Sequence, residues 1–393
     1  MNQTTGSLKK IPPLTIGKAL VEVLPLMVSK YGERIIWVTG GNSFNESLWG
    51  NKIKALMPQL SSQWQWIQVS GEPQVDWMQE RIDALRSRKP WDLVVAIGGG
   101  SVLDVGKGLS AMMLVSDPLK AYLEGVGYLN HPGTKIPFVA VPTTSGTGSE
   151  VTANAVFGQI GPDGYKKSLR HEGLIPDEVI IDGDLLLTCP LHVTAQSSMD
   201  ALTQLVEAYL SNKANMITDA LCLHGLRLFQ KSFYRLFHGE EKNSEVRIQM
   251  AMAATLSGIG LLNAGLGTVH GMASTIGGKA SIPHGLICGR LMRPINEMMI
   301  EYVLKEPEKY GTTLGKYETM TAIFCPDKPK QEIQQWIACL KNFESMSELA
   351  NLSDQNVSRE DWLQWAADSG DKNNPLVLSP SDRQRAMMKA LKG

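Results

Sequence analysis

The stretch 92-DLVVAIGGGSVLDVGKG-108 decides the fold class. Leu93 to Ile97 are apolar without a break, the pattern of a strand buried on both faces. Three glycines then stop the run, and a helical pattern follows. A strand that ends in a glycine turn and opens a helix forms the ligand-side edge of an α/β nucleotide fold. Gly98, Gly99 and Gly100 place no Cβ between the backbone and a ligand. The helix start offers unpaired N–H groups and partial positive charge, which suit a pyrophosphate. Ser101 and Asp104 have capping-box spacing. The loop is not a Walker A motif, because Ser101 stands where the first Gly should be and Gly108 where Ser or Thr should be. Nor is it GxGxxG, since Leu103 takes the place of the third glycine.

Outward from this loop the plan repeats. RIIWVTG (34–40), WIQVSG (66–71), KIPFVAVPTTSGTGSE (135–150) and DEVIIDGDLL (177–186) each contain a strand-like run, and WMQERIDALRSR (77–88) has helical spacing. Apolar strands separated by helices imply a parallel sheet covered on both faces. From Pro190 onward the pattern becomes helical, with segments around 193–211, 214–236, 244–263, 283–304, 332–350 and 380–391. The expectation is a Rossmann-like α/β dinucleotide-binding domain over 1–189 and an all-helical domain over 190–393. GKYETMTAIFCPDKPKQEI (315–333) reads as an exposed connection.

Composition narrows the function. A length of 393 residues suits two domains, and 43% hydrophobic residues can fill a sizeable core. Lys and Arg total 38 against 39 for Asp and Glu, so no basic surface for nucleic acid is expected. The five cysteines form no CxxC pair, which argues against a zinc ribbon or a disulfide framework. No apolar run is long enough for a membrane span, and no signal peptide is read at the N-terminus. The expected location is the cytoplasm.

The second loop, 142-PTTSGTGSEVT-152, also follows a strand. Thr143, Thr144, Ser145, Thr147 and Ser149 can offer many donors to a polar ligand. Two such loops at the carboxyl ends of neighbouring strands mark a crevice for a ligand.

Five further blocks carry a resemblance. GGGSVLDVGK (98–107), PTTSGTGSE (142–150), MDALTQLVEAYLS (199–211), VHGMA (269–273) with IPHG (282–285), and NPLVLS (374–379) follow one another as in the iron-containing, group III alcohol dehydrogenases. The chain resembles that family over most of its length. The resemblance implies a dehydroquinate synthase-like architecture, with NAD(P) and one divalent metal, Fe(II) or Zn(II), meeting in a cleft. It implies hydride transfer between the cofactor and a small alcohol or aldehyde, and a homodimer or larger assembly.

Family members usually hold the metal with one Asp and three His. The matching positions are Asp200, Gln204, His270 and His284. Positions 200 and 204 lie one helical turn apart and face the same way. Gln204 departs from the pattern, as a neutral amide is a poorer donor than imidazole to these metals. Ser274 also departs, standing where the family commonly places a histidine near the reacting carbonyl. A serine relays a proton but does not titrate near neutrality. Three readings follow: a working site with altered metal preference, a metal-independent reductase of the same fold (as maleylacetate reductases are), or a weakened, repurposed site that binds nucleotide without catalysis. The remaining histidines, His131, His171, His192, His224 and His238, read as structural, as does Glu207.

The segment 37-WVTGGNSF-44 bears on the cofactor. An acidic residue after the second strand of such folds repels a 2′-phosphate. Gly40, Gly41 and Ser43 stand there instead, resembling NADP-using relatives, so NADP(H) is expected over NAD(H). Lys166 lies ten residues before Pro176, as does the family lysine that reaches the cofactor ribose.

Overall fold

A computed structural model describes residues 7–88, 90–326 and 332–392. The side chains of Asn42 and Ser43 lie outside the described residues, as does 327–331, the middle of the expected connection.

The strands are β1 (Leu14–Gly17), β2 (Arg34–Thr39), β3 (Gln63–Gln68), β4 (Leu93–Gly98), β5 (Phe138–Pro142), β6 (Asn154–Gln159), β7 (Tyr165–Arg170) and β8 (Glu178–Asp182). Six of them form one sheet in the order β1-β8-β5-β4-β2-β3. Every pairing in it is parallel. Alternate residues build two cores. Ile36, Val38, Val94, Ala96, Phe138 and Ala140 pack on one face; Ile35, Trp37, Leu93, Val95, Val139 and Val141 pack on the other. Helices α1 (Leu24–Val28), α2 (Asn42–Asn45), α3 (Leu48–Leu60), α4 (Val75–Arg86), α5 (Gly100–Met112) and α6 (Gly183–Leu186) accompany the sheet. Burial on both faces is why these strands read as continuous apolar runs.

The chain leaves β2 for β3 at one edge, then returns to β4 on the other side of β2. This reversal opens a crevice at the carboxyl ends of β2 and β4, the usual ligand position in open α/β sheets. Gly40 and Gly41 end one strand; Gly98 to Gly100 end the other.

Beyond the sheet come α7 (Leu191–Leu210), α8 (Met216–Leu236), α9 (Ser244–Ala264), α10 (Thr268–Lys279), α11 (His284–Lys305), α12 (Gly311–Phe324), α13 (Gln335–Ser347), α14 (Arg359–Asp368) and α15 (Pro380–Ala390). Their shared core runs from Met199 and Leu205 on α7 to Leu291 on α11 and Met387 on α15. Ser379, the last residue of NPLVLS, caps α15 in a reciprocal box with Asp382. Among the described residues no single helix is long and apolar enough to cross a membrane.

Two sequence expectations need correction, and one hairpin went unread. Residues 315–324 belong to α12 rather than to an exposed connection. β6 and β7 form an antiparallel hairpin beside the parallel sheet. Ser101 and Asp104 form no capping box: the N-cap of α5 is Gly99, which makes no side-chain bond. The Asp104 carboxylate instead accepts from the Ser149 hydroxyl at 2.6 Å and the Val156 amide at 3.0 Å. It ties α5 to the second loop and to β6.

Candidate active site

The two loops interlock. A Cβ on Gly99 would lie 3.1 Å from Thr144, and one on Gly100 would lie 2.6 Å from Thr147. The glycines therefore admit the second loop against the start of α5, where the Val102 and Leu103 amides donate to the Gly99 carbonyl at 2.9 and 3.1 Å. Lys107 fixes the second loop from beneath. Its buried ammonium donates to the Ser149 and Asn154 carbonyls at 2.8 Å each and to the Thr152 hydroxyl at 3.1 Å. Burial, only partly offset by Asp104 and Glu150, lowers its pKa to about 8. Thr143 and Ser149 are buried, while Thr144 and Thr147 are half-buried at the crevice. Lys166, on β7, pairs with Glu72 at 2.7 Å and lies along Gly277 of α10.

Thr147 leads from the crevice to the helices. Its carbonyl accepts from the Gln204 side chain at 3.3 Å, and the Gln204 amide oxygen accepts from Ser257 of α9 at 3.1 Å. Gln204 sits one turn beyond Asp200 as its spacing requires. Both ends of its amide bond here, to the loop and to α9, although the Ser257 hydroxyl also donates to the Ala254 carbonyl at 2.7 Å.

One turn back along α7, Asp200 meets residues from two other helices. His270 Nε2 of α10 lies 3.2 Å from Asp200 Oδ1, and His284 Nε2 of α11 lies 3.8 Å from it. Gly285 permits the approach: a Cβ there would lie 2.3 Å from the Gln196 carbonyl of α7. The fourth neighbour is Cys288, one turn after His284. Its sulfur is 3.8 Å from His270 Nε2 and 3.6 Å from His284 Nε2. Asp200, His270, His284 and Cys288 each offer one donor atom, all within 4.8 Å of one another. Sequence reasoning gave Cys288 no role, as it forms no CxxC pair. The signal was its four-residue step from His284, which sets both on one helix face.

Glu207, read from sequence as structural, does more than fill space. One carboxylate oxygen accepts from the Val269 amide at 2.6 Å, and the other lies 2.7 Å from His270 Nδ1. A carboxylate only accepts, so Nδ1 donates to Glu207 and Nε2 donates to Asp200; burial opposes this charge, but Cys288, Glu207 and Asp200 outweigh it and raise the His270 pKa well above its ordinary value. Loss of the Nε2 proton would turn that lone pair to a metal. This is the outer carboxylate arrangement that fixes a metal-ligating imidazole. Burial and the charge of Lys166 lower the His284 pKa to about 3, so its imidazole is neutral. Burial raises the Asp200 carboxyl, but the His270 bond and both imidazoles outweigh it and hold Asp200 below its ordinary range. An ionised carboxylate, two imidazoles and a thiol fit a divalent transition metal. The buried His284 Nδ1 has no partner among the described residues.

Ser274, one turn after His270, donates to the His270 carbonyl at 2.7 Å and accepts from Lys372 at 3.2 Å. Lys372 was missed from sequence. It holds a left-handed conformation at φ 49°. Its neighbours are fastened to α10: Asp371 accepts from Thr268 at 2.8 Å, and the Asn373 amide donates to the Leu266 carbonyl at 2.9 Å. The other histidines lie elsewhere. His171 accepts from the Gly173 amide at 2.9 Å, His238 bonds Tyr234 O at 2.7 Å, and His131 packs edge-on to Tyr122.

The sheet half, residues 12–183, matches the family described as iron-containing alcohol dehydrogenase; residues 194–391 match the C-terminal model of the same family. The chain belongs to the iron-containing alcohol dehydrogenase family. It is 37% identical over 224 residues to long-chain-alcohol dehydrogenase 1 of Geobacillus thermodenitrificans, covering 55% of this chain and 54% of that one. It is 30% identical over 289 residues to the NADPH-dependent butanol dehydrogenase of Clostridium saccharobutylicum, covering 73% and 70%. The alignment thus spans about half of the first relative's length. The solved alcohol dehydrogenase of Oenococcus oeni superposes with a TM-score of 0.83 at 24% identity, over 98% of this chain and all of that one. That likeness establishes the family fold from end to end.

Proposed function

We propose that the chain transfers hydride reversibly between NADP(H) and a small alcohol or aldehyde in the cleft between sheet and helices. The observation that carries this reading is the convergence of Asp200, His270 and His284 one helical turn from Gln204, whose amide bonds the cofactor-side loop. The cofactor would lie along Gly40 and Gly41, Gly98 to Ser101, and Thr144 and Thr147. No carboxylate follows β2 to repel a 2′-phosphate. The named activity of the Clostridium relative supports NADPH over NADH.

Asp200, His270 and His284 would hold a divalent metal, which supplies Lewis-acid polarisation of the substrate oxygen. The chain's own work is positional. Glu207 would hold a hydrogen on His270 Nδ1 and so leave Nε2 to a metal, and the interlocked loops would position a nicotinamide, which supplies or takes the hydride, against the substrate carbon. During reduction the carbonyl carbon takes the hydride and its oxygen takes a proton. Ser274 can pass that proton from Lys372 through the bond between them.

The test is purified protein with added Zn(II) or Fe(II), assayed with both cofactors across an aldehyde panel. Turnover that prefers NADPH and is abolished in His270→Ala is expected. No turnover with any metal and cofactor combination defeats the reading.

A further inference from the structure

From the geometry we infer that Cys288 is the fourth metal ligand, giving an Asp200–His270–His284–Cys288 site in which a thiolate supplies the donor that Gln204 withholds and the substrate oxygen enters as a fifth donor. The inference rests on the metal cleft proposed above.

The distances carry it. Zinc bonds nitrogen and oxygen at about 2.0–2.1 Å and thiolate at about 2.3 Å. A tetrahedron built on those lengths has N···O edges of about 3.3 Å and N···S edges of about 3.6 Å. The observed N···O separations are 3.2 and 3.8 Å. The observed N···S separations are 3.8 and 3.6 Å. S–H···N contacts span similar separations; what points to a metal is that Asp200, His270, His284 and Cys288 each bring one donor atom to within 4.8 Å of the others.

The helices explain how the thiol arrives there. His284 and Cys288 step by four along α11, so both side chains face α7 and α10. The Gly289 backbone packs against Met199, bringing this turn close to Asp200. Gln204 stands on the loop side of α7, with both ends of its amide already bonded.

The chemistry follows from the donor set. One carboxylate and one thiolate balance the charge of a divalent cation, whereas one carboxylate and three imidazoles leave it positive. Thiolate is a soft ligand and favours zinc over hard, oxygen-seeking cations. The chain should therefore select Zn(II), with Co(II) as its spectroscopic substitute.

The test loads the full-length chain with Co(II) and records its absorption, then titrates Zn(II) against a chromophoric chelator. One equivalent of Co(II) with thiolate-to-cobalt charge-transfer absorption is expected. C288S should lose that absorption and weaken Zn(II) more than the roughly 10–100-fold typical of an outer-shell change. Gln204→Ala should keep the absorption. The spectrum of the unaltered chain answers by itself, so a C288S chain that fails to fold leaves the test intact. Co(II) bound without charge-transfer absorption, and unaffected by C288S, overturns the inference and leaves the functional reading standing. No Co(II) or Zn(II) bound by the unaltered chain defeats both this inference and the metal part of that reading.

Discussion

Glu207→Gln should damage the site without removing any candidate ligand. The carboxylate accepts two hydrogen bonds, from the Val269 amide at 2.6 Å and from His270 Nδ1 at 2.7 Å. A glutamine side chain has one oxygen and one NH2. The backbone amide can only donate, so the glutamine oxygen must face Val269 and its NH2 must face His270. Nδ1 then becomes the acceptor, the ring hydrogen is held on Nε2, and the lone pair that Nε2 would turn to a metal is lost. Loss of such an outer partner costs about 10–100-fold in metal affinity, or about 1.4–2.7 kcal/mol. Glu207→Ala removes the same bond but imposes no tautomer, so it should lose less affinity than Glu207→Gln. Zinc competition against a chromophoric chelator measures both, and a thermal melt checks that each variant folds. If Glu207→Gln holds zinc within twofold of the unaltered chain, the tautomer argument is wrong.

Gly100→Ala drives a Cβ to 2.6 Å from Thr147, and overpacking of this kind costs about 1–3 kcal/mol. Denaturant unfolding should show that loss together with weaker NADPH binding, and Thr147→Ala in the same chain should recover part of it. Lys107→Met strips the donor from the buried Ser149 and Asn154 carbonyls and from the Ser149 and Thr152 hydroxyls, a loss of about 1–3 kcal/mol for each group left unsatisfied. The native Lys107 pKa of about 8 lies below its ordinary 10.5, so between those values the unfolded chain binds the extra proton. The stability advantage of the unaltered chain over Lys107→Met should therefore grow as pH rises through that window and fall as pH drops towards 8; a flat difference in urea titrations contradicts it. Gln204→His combined with Cys288→Ala restores one Asp and three His. It should regain the zinc binding lost in Cys288→Ala alone, without the charge-transfer absorption.

The parallel sheet was legible because burial on both faces leaves unbroken apolar runs, as in Leu93–Gly98, where every residue is buried. Edge elements were harder. β3 begins at Gln63, three residues before the expected run, because its exposed first residues hide it. β1 spans four residues, too few to show a period. α10 carries three glycines among its twelve residues, so local propensity argues against a helix; packing between α7, β7 and α14 makes it one. Asp200, His270 and His284 were readable because each sits in a recognisable block. Lys372 was not, since only the folded path of 371–374 brings it to Ser274.

Gln204 shows why a motif position and a site position differ. A residue one turn after Asp200 can turn towards the metal cluster or towards the 142–152 loop, since α7 lies between them. Imidazole has one donor and one acceptor nitrogen, so one that spent a nitrogen on a metal would have only the other left for Thr147 or Ser257. Glutamine bridges them, and so joins the loop packed on Gly100 to α9. If Cys288 ligates as proposed, the two positions divide the work: Gln204 on α7 joins the 142–152 loop to α9, and Cys288 on α11 would complete the ligand set.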